Sequence, residues 1–255
     1  MRTTTLDPVS EPQSLAAAPD GGSQLESLRG LAAAATQQVL GSTIAVTDAQ
    51  WRAPSRLPGW SRGHVATHLA RQADALVRLT EWARTGQRHE MYASPEERDH
   101  DIQQGSTRPG LELQIDLDTS AGRLTQAFDA VDEANAWDAV IEFRGGLRTP
   151  ARLLPLARLL EVTLHHVDLD VGYEVSDIDA QTAEWLLKWC SFRLRERDEF
   201  PKLQLRADSG FTMTVGSSGM AREVTGSSAE LLGWLTSRLP PTSVNGAERL
   251  QLPAF

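Results

Sequence analysis

The segment of residues 57–86, LPGWSRGHVATHLARQADALVRLTEWARTG, constrains the fold more than any other part of the chain. Its apolar residues recur every three or four positions, which is the period of an α-helix with one buried face. Ser61 is a typical N-cap residue, and Gly86 is typical of the position just past a helix end. The segment therefore predicts a long amphipathic helix whose apolar stripe needs partners; the stripe consists of Val65, Leu69, Leu76 and Leu79.

Three further segments show a helical repeat of apolar residues, namely residues 25–42, 111–137 and 155–171. A shorter helix is predicted from Ser94, because proline follows this N-cap residue and glutamate stands three positions after it. The sequence FRGGLRTP, residues 143–150, indicates a turn or a short hairpin. Several antiparallel helices with modest loops predict a helical bundle.

The pattern changes after about Ser176. One more helical segment is followed by three short runs of alternating apolar and polar residues, which predict strands, and then by a capped helix over residues 227–239. The predicted fold class is α+β. Its predicted parts are a disordered tail over residues 1–24, a four-helix bundle over residues 25–175 and a small α+β domain over residues 176–255.

Composition excludes several classes of partner. The net charge of −9 argues against nucleic acid and against an anionic membrane surface, since either would need a basic patch. We find no apolar run long enough to span a membrane and no secretory signal at the N-terminus. Cys190 is the single cysteine, which excludes an intramolecular disulfide and fits a reducing cytoplasm.

Glu161 and His165 stand four residues apart within LLEVTLHHVDLD, residues 159–170. On a helix this spacing places both side chains on one face, one turn apart, beside the apolar stripe that must face the core. His166 lies about 100° further round the helix, so we expect it to point toward solvent.

A third ligand is needed, because two ligands bind a divalent cation weakly. The helix predicted over residues 61–86 offers His64 and His68, again four apart. Measured against the apolar stripe of that helix, His68 lies at the edge of the core, whereas His64 lies further out in the first turn. The sequence therefore predicts a metal site formed by His68, Glu161 and His165.

Two histidines and one carboxylate leave a coordination position open, which is typical of catalytic rather than structural metal sites. Zinc is the ion we expect, and nickel, iron and manganese use the same types of ligand. The alternative is an ordinary hydrogen bond between Glu161 and His165 on a helix surface, which the spacing alone also allows.

Four stretches of the chain, LPGWSRGHVATHLA, EWARTG, MYASPEERDHDIQQGS and LEVTLHHVDL, occur in an order that resembles the mycothiol-dependent maleylpyruvate isomerases. That family lies within the DinB-like superfamily of metal-binding four-helix bundles. The resemblance runs from about Leu25 to the last helix and is weaker after Ser176. The metal ligands of the family match His68, Glu161 and His165.

The resemblance also implies a catalytic arginine near the end of the last helix, at Arg238. A planar guanidinium would suit a carboxylate of the substrate or of the thiol cofactor. The alternative is a cation that merely stabilises a helix C-terminus. Arg98 is a second candidate for binding a carboxylate.

The resemblance implies a cytoplasmic enzyme that converts maleylpyruvate, or a related unsaturated dicarboxylate, from the cis to the trans isomer. A thiolate adds to the double bond, the single bond rotates and the thiolate leaves. Cys190 lies among large apolar residues, so the thiol must come from a bound cofactor, and the resemblance implies that this is mycothiol. The expected partners are thus a small-molecule substrate and a low-molecular-weight thiol. The metal would lower the pKa of the thiol or polarise a carbonyl group. The alternatives are a mycothiol S-transferase, which stops after addition, and a DinB-like metal-binding protein without catalysis.

Overall fold

The computed structural model describes residues 21–194 and 197–253. Its N-terminal part contains six helices: α1 (Gly21–Thr43), α2 (Asp48–Arg52), α3 (Arg62–Thr85), α4 (Pro95–Gly105), α5 (Gly110–Glu133) and α6 (Leu154–Leu169). Helix α1 packs against α5 and α6, and α3 packs against the same two helices from the other side. These four long helices close into a bundle, as the sequence predicts, and α4 packs against α3 beside it.

The predicted limits of α3 are confirmed in detail. The Ser61 hydroxyl accepts a hydrogen bond from the backbone N–H of His64, and Gly86 ends the helix with a φ of +73°. A positive φ favours glycine, because a Cβ atom would crowd the backbone there. The four residues of the predicted apolar stripe are fully buried.

Helix α1 begins at Gly21, before the predicted start at Leu25. The predicted disordered tail of residues 1–24 is therefore wrong for its last four residues, which form the first turn of α1. The rest of that tail, residues 1–20, lies outside the described residues.

A hairpin of β1 (Val140–Glu142) and β2 (Arg148–Pro150) connects α5 to α6. The C-terminal part contains α7 (Ala180–Leu194), β3 (Pro201–Ala207), β4 (Thr212–Val215), β5 (Ser218–Gly226) and α8 (Ser228–Leu235). Strand β3 is central, antiparallel to β4 and parallel to β5. Helix α7 packs against α8, β4 and α6. The α+β fold class is confirmed.

The end of α8 differs from the prediction. The helix stops at Leu235, and Ser237 adopts a φ of +63°. The backbone N–H of Arg238 then donates to the carbonyl oxygen of Gly233 at 2.7 Å, a Schellman ending. A helix through Arg238 is therefore wrong, because the left-handed residue turns the chain before that arginine.

Two apolar clusters fill the bundle at different heights, and a polar layer separates them. Along α3, Val65 and Leu69 belong to one cluster and Ala73 and Leu76 to the other. A third cluster extends from α1 and α6 through α7, the three-stranded sheet and α8. Helix α6 therefore contributes to the core of both parts of the chain. None of the described helices is long and apolar enough to cross a lipid bilayer.

Candidate active site

His68, Glu161 and His165 meet in the polar layer of the bundle. The Oε2 atom of Glu161 lies 3.0 Å from Nε2 of His68 and 3.3 Å from Nε2 of His165. The imidazole rings stand almost perpendicular, at 88°, with their centroids 4.6 Å apart. One potential ligand atom from each residue lies within 4.8 Å of the other two. The structure thus brings together the three side chains that the sequence selects.

Electrostatics keep this cluster charged in spite of its burial. Burial alone would raise the pKa of Glu161, but hydrogen bonds from His165 and His68 outweigh it and hold that pKa well below its usual value. Burial lowers the pKa of His68, against the opposing effect of its hydrogen bond to Glu161. Metal binding requires an ionised carboxylate and neutral imidazoles, a state that these shifts favour for Glu161 and His68.

Asp168, which was not predicted as a site residue, orients His165. Its Oδ2 atom lies 2.8 Å from Nδ1 of His165, so the other ring nitrogen faces Glu161. Burial would lower the pKa of His165, but hydrogen bonds to Asp168 and Glu161 raise it. A carboxylate behind a metal-binding histidine is a common supporting arrangement. The signal was present in the sequence, since Asp168 follows His165 by three residues on the same helix.

Arg238 reaches the site through Asp168. Its Nη2 and Nε atoms donate to the two carboxylate oxygens at 2.6 and 3.2 Å, and Nη1 donates to the carbonyl oxygen of Thr236 at 2.7 Å. Burial would raise the pKa of Asp168, but the hydrogen bonds from His165 and Arg238 lower it. Arg238, from the C-terminal part, thereby contacts Asp168, the carboxylate that orients His165 in the bundle. Direct binding of a substrate by Arg238 stays a prediction.

A cleft of about 730 Å³ opens beside the cluster, and both parts of the chain line it. Four of its lining residues are arginines, namely Arg98, Arg144, Arg193 and Arg238. Aromatic and aliphatic walls come from Tyr92, Phe143, Leu160, Leu164 and Trp189. The cleft is therefore rich in positive charge, with an apolar lining between the charges.

Arg98, the second candidate for binding a carboxylate, also lines this cleft. Its Nη2 atom is 3.3 Å from Nδ1 of His68, and its guanidinium lies 5.7 Å from the centre of the Tyr92 ring. Nη1 of Arg98 also pairs with Asp99 at 2.7 Å. Helix α4 thus places the guanidinium of Arg98 at the edge of the His68–Glu161–His165 cluster.

The prediction that His166 faces solvent is wrong. His166 is only 2% exposed, its Nε2 atom lies 2.8 Å from the Ser42 hydroxyl, and its ring stacks on Tyr173. The error arose because Ser42 at the end of α1 and Tyr173 just after α6 cover the side of α6 that its apolar stripe leaves open. His64, the histidine that the sequence places further out, has its ring in contact with Ser61 and Gln103 instead.

Comparisons with known proteins support one family. Residues 32–170, just over half of the chain, match the profile of the mycothiol maleylpyruvate isomerase N-terminal domain. Two crystal structures of the mycothiol-dependent maleylpyruvate isomerase have a similar fold. One, of a histidine-to-alanine mutant, gives a TM-score of 0.81 at 27% identity, and the other gives 0.78 at 28%. Each comparison covers 91% of this chain and 97% of the solved chain. Comparison with curated proteins found no match.

Proposed function

Because this chain belongs to the mycothiol maleylpyruvate isomerase family, we propose that it isomerises maleylpyruvate, or a closely related unsaturated dicarboxylate, from cis to trans with mycothiol. The product from maleylpyruvate is fumarylpyruvate. The observation that carries this proposal is the His68–Glu161–His165 cluster beside a cleft that four arginines line. Such a cleft suits a small dianion.

His68, Glu161 and His165 would hold a divalent ion, for which zinc is our choice. The donor set fits, because two imidazole nitrogens and one carboxylate oxygen converge within 4.8 Å and leave room for a further ligand. Asp168 supports the fit by fixing the orientation of His165. A bound ion would supply a positive charge that lowers the pKa of a thiol or polarises a carbonyl oxygen.

The chain's own cysteine is unsuited to be the nucleophile. Cys190 is fully buried, and burial raises the pKa of its thiol to about 12. The reactive form of a thiol is the thiolate, so Cys190 is inert near neutral pH. Mycothiol would supply the thiol whose reversible addition converts the double bond to a single bond and permits rotation. We place this reaction in the cytoplasm, where low-molecular-weight thiols stay reduced.

The cleft residues bind and shield the substrate. Guanidinium groups of Arg98 and Arg144 offer paired N–H donors to carboxylates, which suits the two ends of a dicarboxylate. The apolar side chains of Phe143, Leu160 and Trp189 lie between those charges, and a substrate bound against them would displace water and so strengthen the electrostatic contacts. Glu161 repels the dianion little, because both histidines contact its carboxylate.

The test is an assay of the purified, metal-analysed protein on maleylpyruvate, with and without mycothiol. We expect fumarylpyruvate only when mycothiol is present, and Cys190→Ala should retain this activity. A metal-loaded protein that forms no fumarylpyruvate would contradict the proposal. Accumulation of a stable mycothiol adduct instead of fumarylpyruvate would identify an S-transferase.

A further inference from the structure

Gln72 occupies the polar layer one helical turn after His68 and lines the same cleft. It is only 4% exposed, and its Oε1 atom accepts a hydrogen bond from Nη1 of Arg158 at 2.7 Å. Its Nε2 atom donates no hydrogen bond to the residues within 21–194 and 197–253, and it is not one of their fully buried unpartnered atoms. The amide thus has one end engaged and the other end free of protein partners.

Arg158 fixes which end of the amide is engaged. A guanidinium donates and never accepts, so the Gln72 atom that faces it must be the carbonyl oxygen. Arg158 is 3% exposed, and its other acceptor is the carbonyl oxygen of Leu69 at 2.8 Å. Burial lowers the pKa of Arg158 to about 10, so the side chain is still a cation at neutral pH. A flipped amide would direct N–H groups at that cation and remove one of its two acceptors.

The consequence is a donor held toward the cleft. The amide nitrogen of Gln72 keeps two N–H groups, and both are directed away from Arg158. Nε2 is not among the fully buried side-chain atoms that lack a partner in the described residues, so it is accessible from the cleft, and an amide donor there is suited to a ligand oxygen. The fixed orientation also means that no reorganisation is needed when the ligand binds.

We propose that Nε2 of Gln72 donates a hydrogen bond to a carboxylate or keto oxygen of the substrate, next to the His68–Glu161–His165 cluster. The inference rests on the proposed function, because the dicarboxylate substrate supplies the oxygen. Gln72 is then a substrate-binding residue, and Arg158 is the residue that positions it.

The deciding variant is Gln72→Glu. A glutamate keeps an acceptor for Arg158, so the protein should fold and keep its metal, but it offers no N–H group to the cleft. We expect kcat/KM for maleylpyruvate to fall by about tenfold or more, as for loss of a hydrogen bond to a charged group. Gln104→Glu adds the same charge on the exposed surface of α4 and should behave as wild type.

A second variant separates loss of the donor from gain of a negative charge. Gln72→Met removes the donor without adding charge, and folded, metal-loaded Gln72→Met should also lose activity. Gln72→Glu within about twofold of wild-type kcat/KM overturns the inference. A loss confined to Gln72→Glu, with normal turnover by Gln72→Met, overturns it as well, because charge repulsion would then be the cause.

Failure of the proposed function can be recognised independently. If metal-loaded wild type does not isomerise maleylpyruvate, calorimetric titration with succinate, an unreactive dicarboxylate, decides the role of Gln72. Affinity about tenfold weaker in Gln72→Glu than in wild type supports the donor. Equal affinity, or no succinate binding by either protein, overturns it.

Discussion

The two adjacent histidines of α6 lie on faces with opposite character. Burial would lower the pKa of His165, but contacts with Asp168 and Glu161 raise it. Burial lowers the pKa of His166 to about 4, and its contacts are the Ser42 hydroxyl and the Tyr173 ring. His166 is fully buried and His165 is mostly buried at the cleft, yet only His165 has carboxylates in contact with its ring.

The difference shows that burial does not by itself mark a functional histidine. Carboxylates on both ring nitrogens fix the orientation of His165 and prepare it to be a ligand. A neutral ring between a hydroxyl and an aromatic face serves packing. The side chains in contact with each histidine therefore distinguish the metal ligand from the packing residue.

The largest effect concerns metal content. We expect the wild-type protein to bind about one divalent ion per chain. Glu161→Ala and His165→Ala should each lose this ion, because the two remaining ligands bind weakly. His166→Ala should keep the ion and lose about 1–3 kcal/mol of stability from a disrupted core contact. Elemental analysis and chemical denaturation measure the two quantities. A metal-free His166→Ala beside a fully loaded His165→Ala would reverse the assignment of the two faces.

The next effect concerns the support of His165. Asp168→Asn removes the charge that holds Nδ1, and we expect affinity for zinc to fall by about 10–100-fold. Competition with a chromophoric chelator measures this affinity. Asp170→Asn is the matched control, since Asp170 lies two residues further on and pairs with Arg56 and Arg62 instead. Equal losses in both variants would mean that removal of charge at this end of α6, rather than contact with His165, weakens binding.

These contacts also show which parts of the site could be predicted from the sequence. Helical periodicity, caps and the edge of each apolar stripe were enough to select His68, Glu161 and His165, because those signals are local. The pairing of Asp168 with Arg238 joins residues 70 positions apart, and no local pattern encodes it. The burial of His166 depends on Ser42 and Tyr173, and the apolar stripe of α6 does not show that either will cover that side of the helix.

The end of α8 shows a different limit. Helices often end with glycine in the left-handed conformation, and this signal located Gly86 correctly. Ser237 takes the same conformation without being glycine, so the sequence carried no stop before the two prolines. Gln72 was missed because its role depends on Arg158, a buried cation on another helix.

A pH-dependent effect follows for the His166 face. The pKa of His166 is about 4 in the folded protein and about 6.5 when unfolded, so the unfolded chain binds a proton first as the pH falls. Folding stability is therefore lost below pH 6.5, and the loss from this group reaches about 2 kcal/mol at pH 5. His166→Gln should lack this component. Urea denaturation of both metal-free proteins at pH 7 and pH 5 measures it, and His68 and His165 cancel in the difference. Identical pH dependence in the two proteins would show that His166 titrates normally.

The smallest expected effect is that of Arg238→Lys, which tests whether the C-terminal part influences His165. Arg238 holds both oxygens of Asp168, and Arg238→Lys keeps the charge but loses this two-point contact. We expect kcat/KM to fall by about tenfold, or about 1.4 kcal/mol, with metal content near that of wild type. Arg56→Lys is the matched control, because Arg56 makes a similar two-point contact with Glu174 outside the cleft and should turn over normally.

The double variant Asp168→Asn with Arg238→Lys distinguishes the two ways in which Arg238 could act. If Arg238 acts only through Asp168, the losses should not add, because the second substitution removes a contact that the first has already weakened. If Arg238 also binds a substrate carboxylate, the double variant should be worse than Asp168→Asn by about the full tenfold. Steady-state kinetics on metal-saturated proteins measures this. Normal turnover by Arg238→Lys would mean that Arg238 only holds α6 and the segment after α8 together and has no part in the reaction.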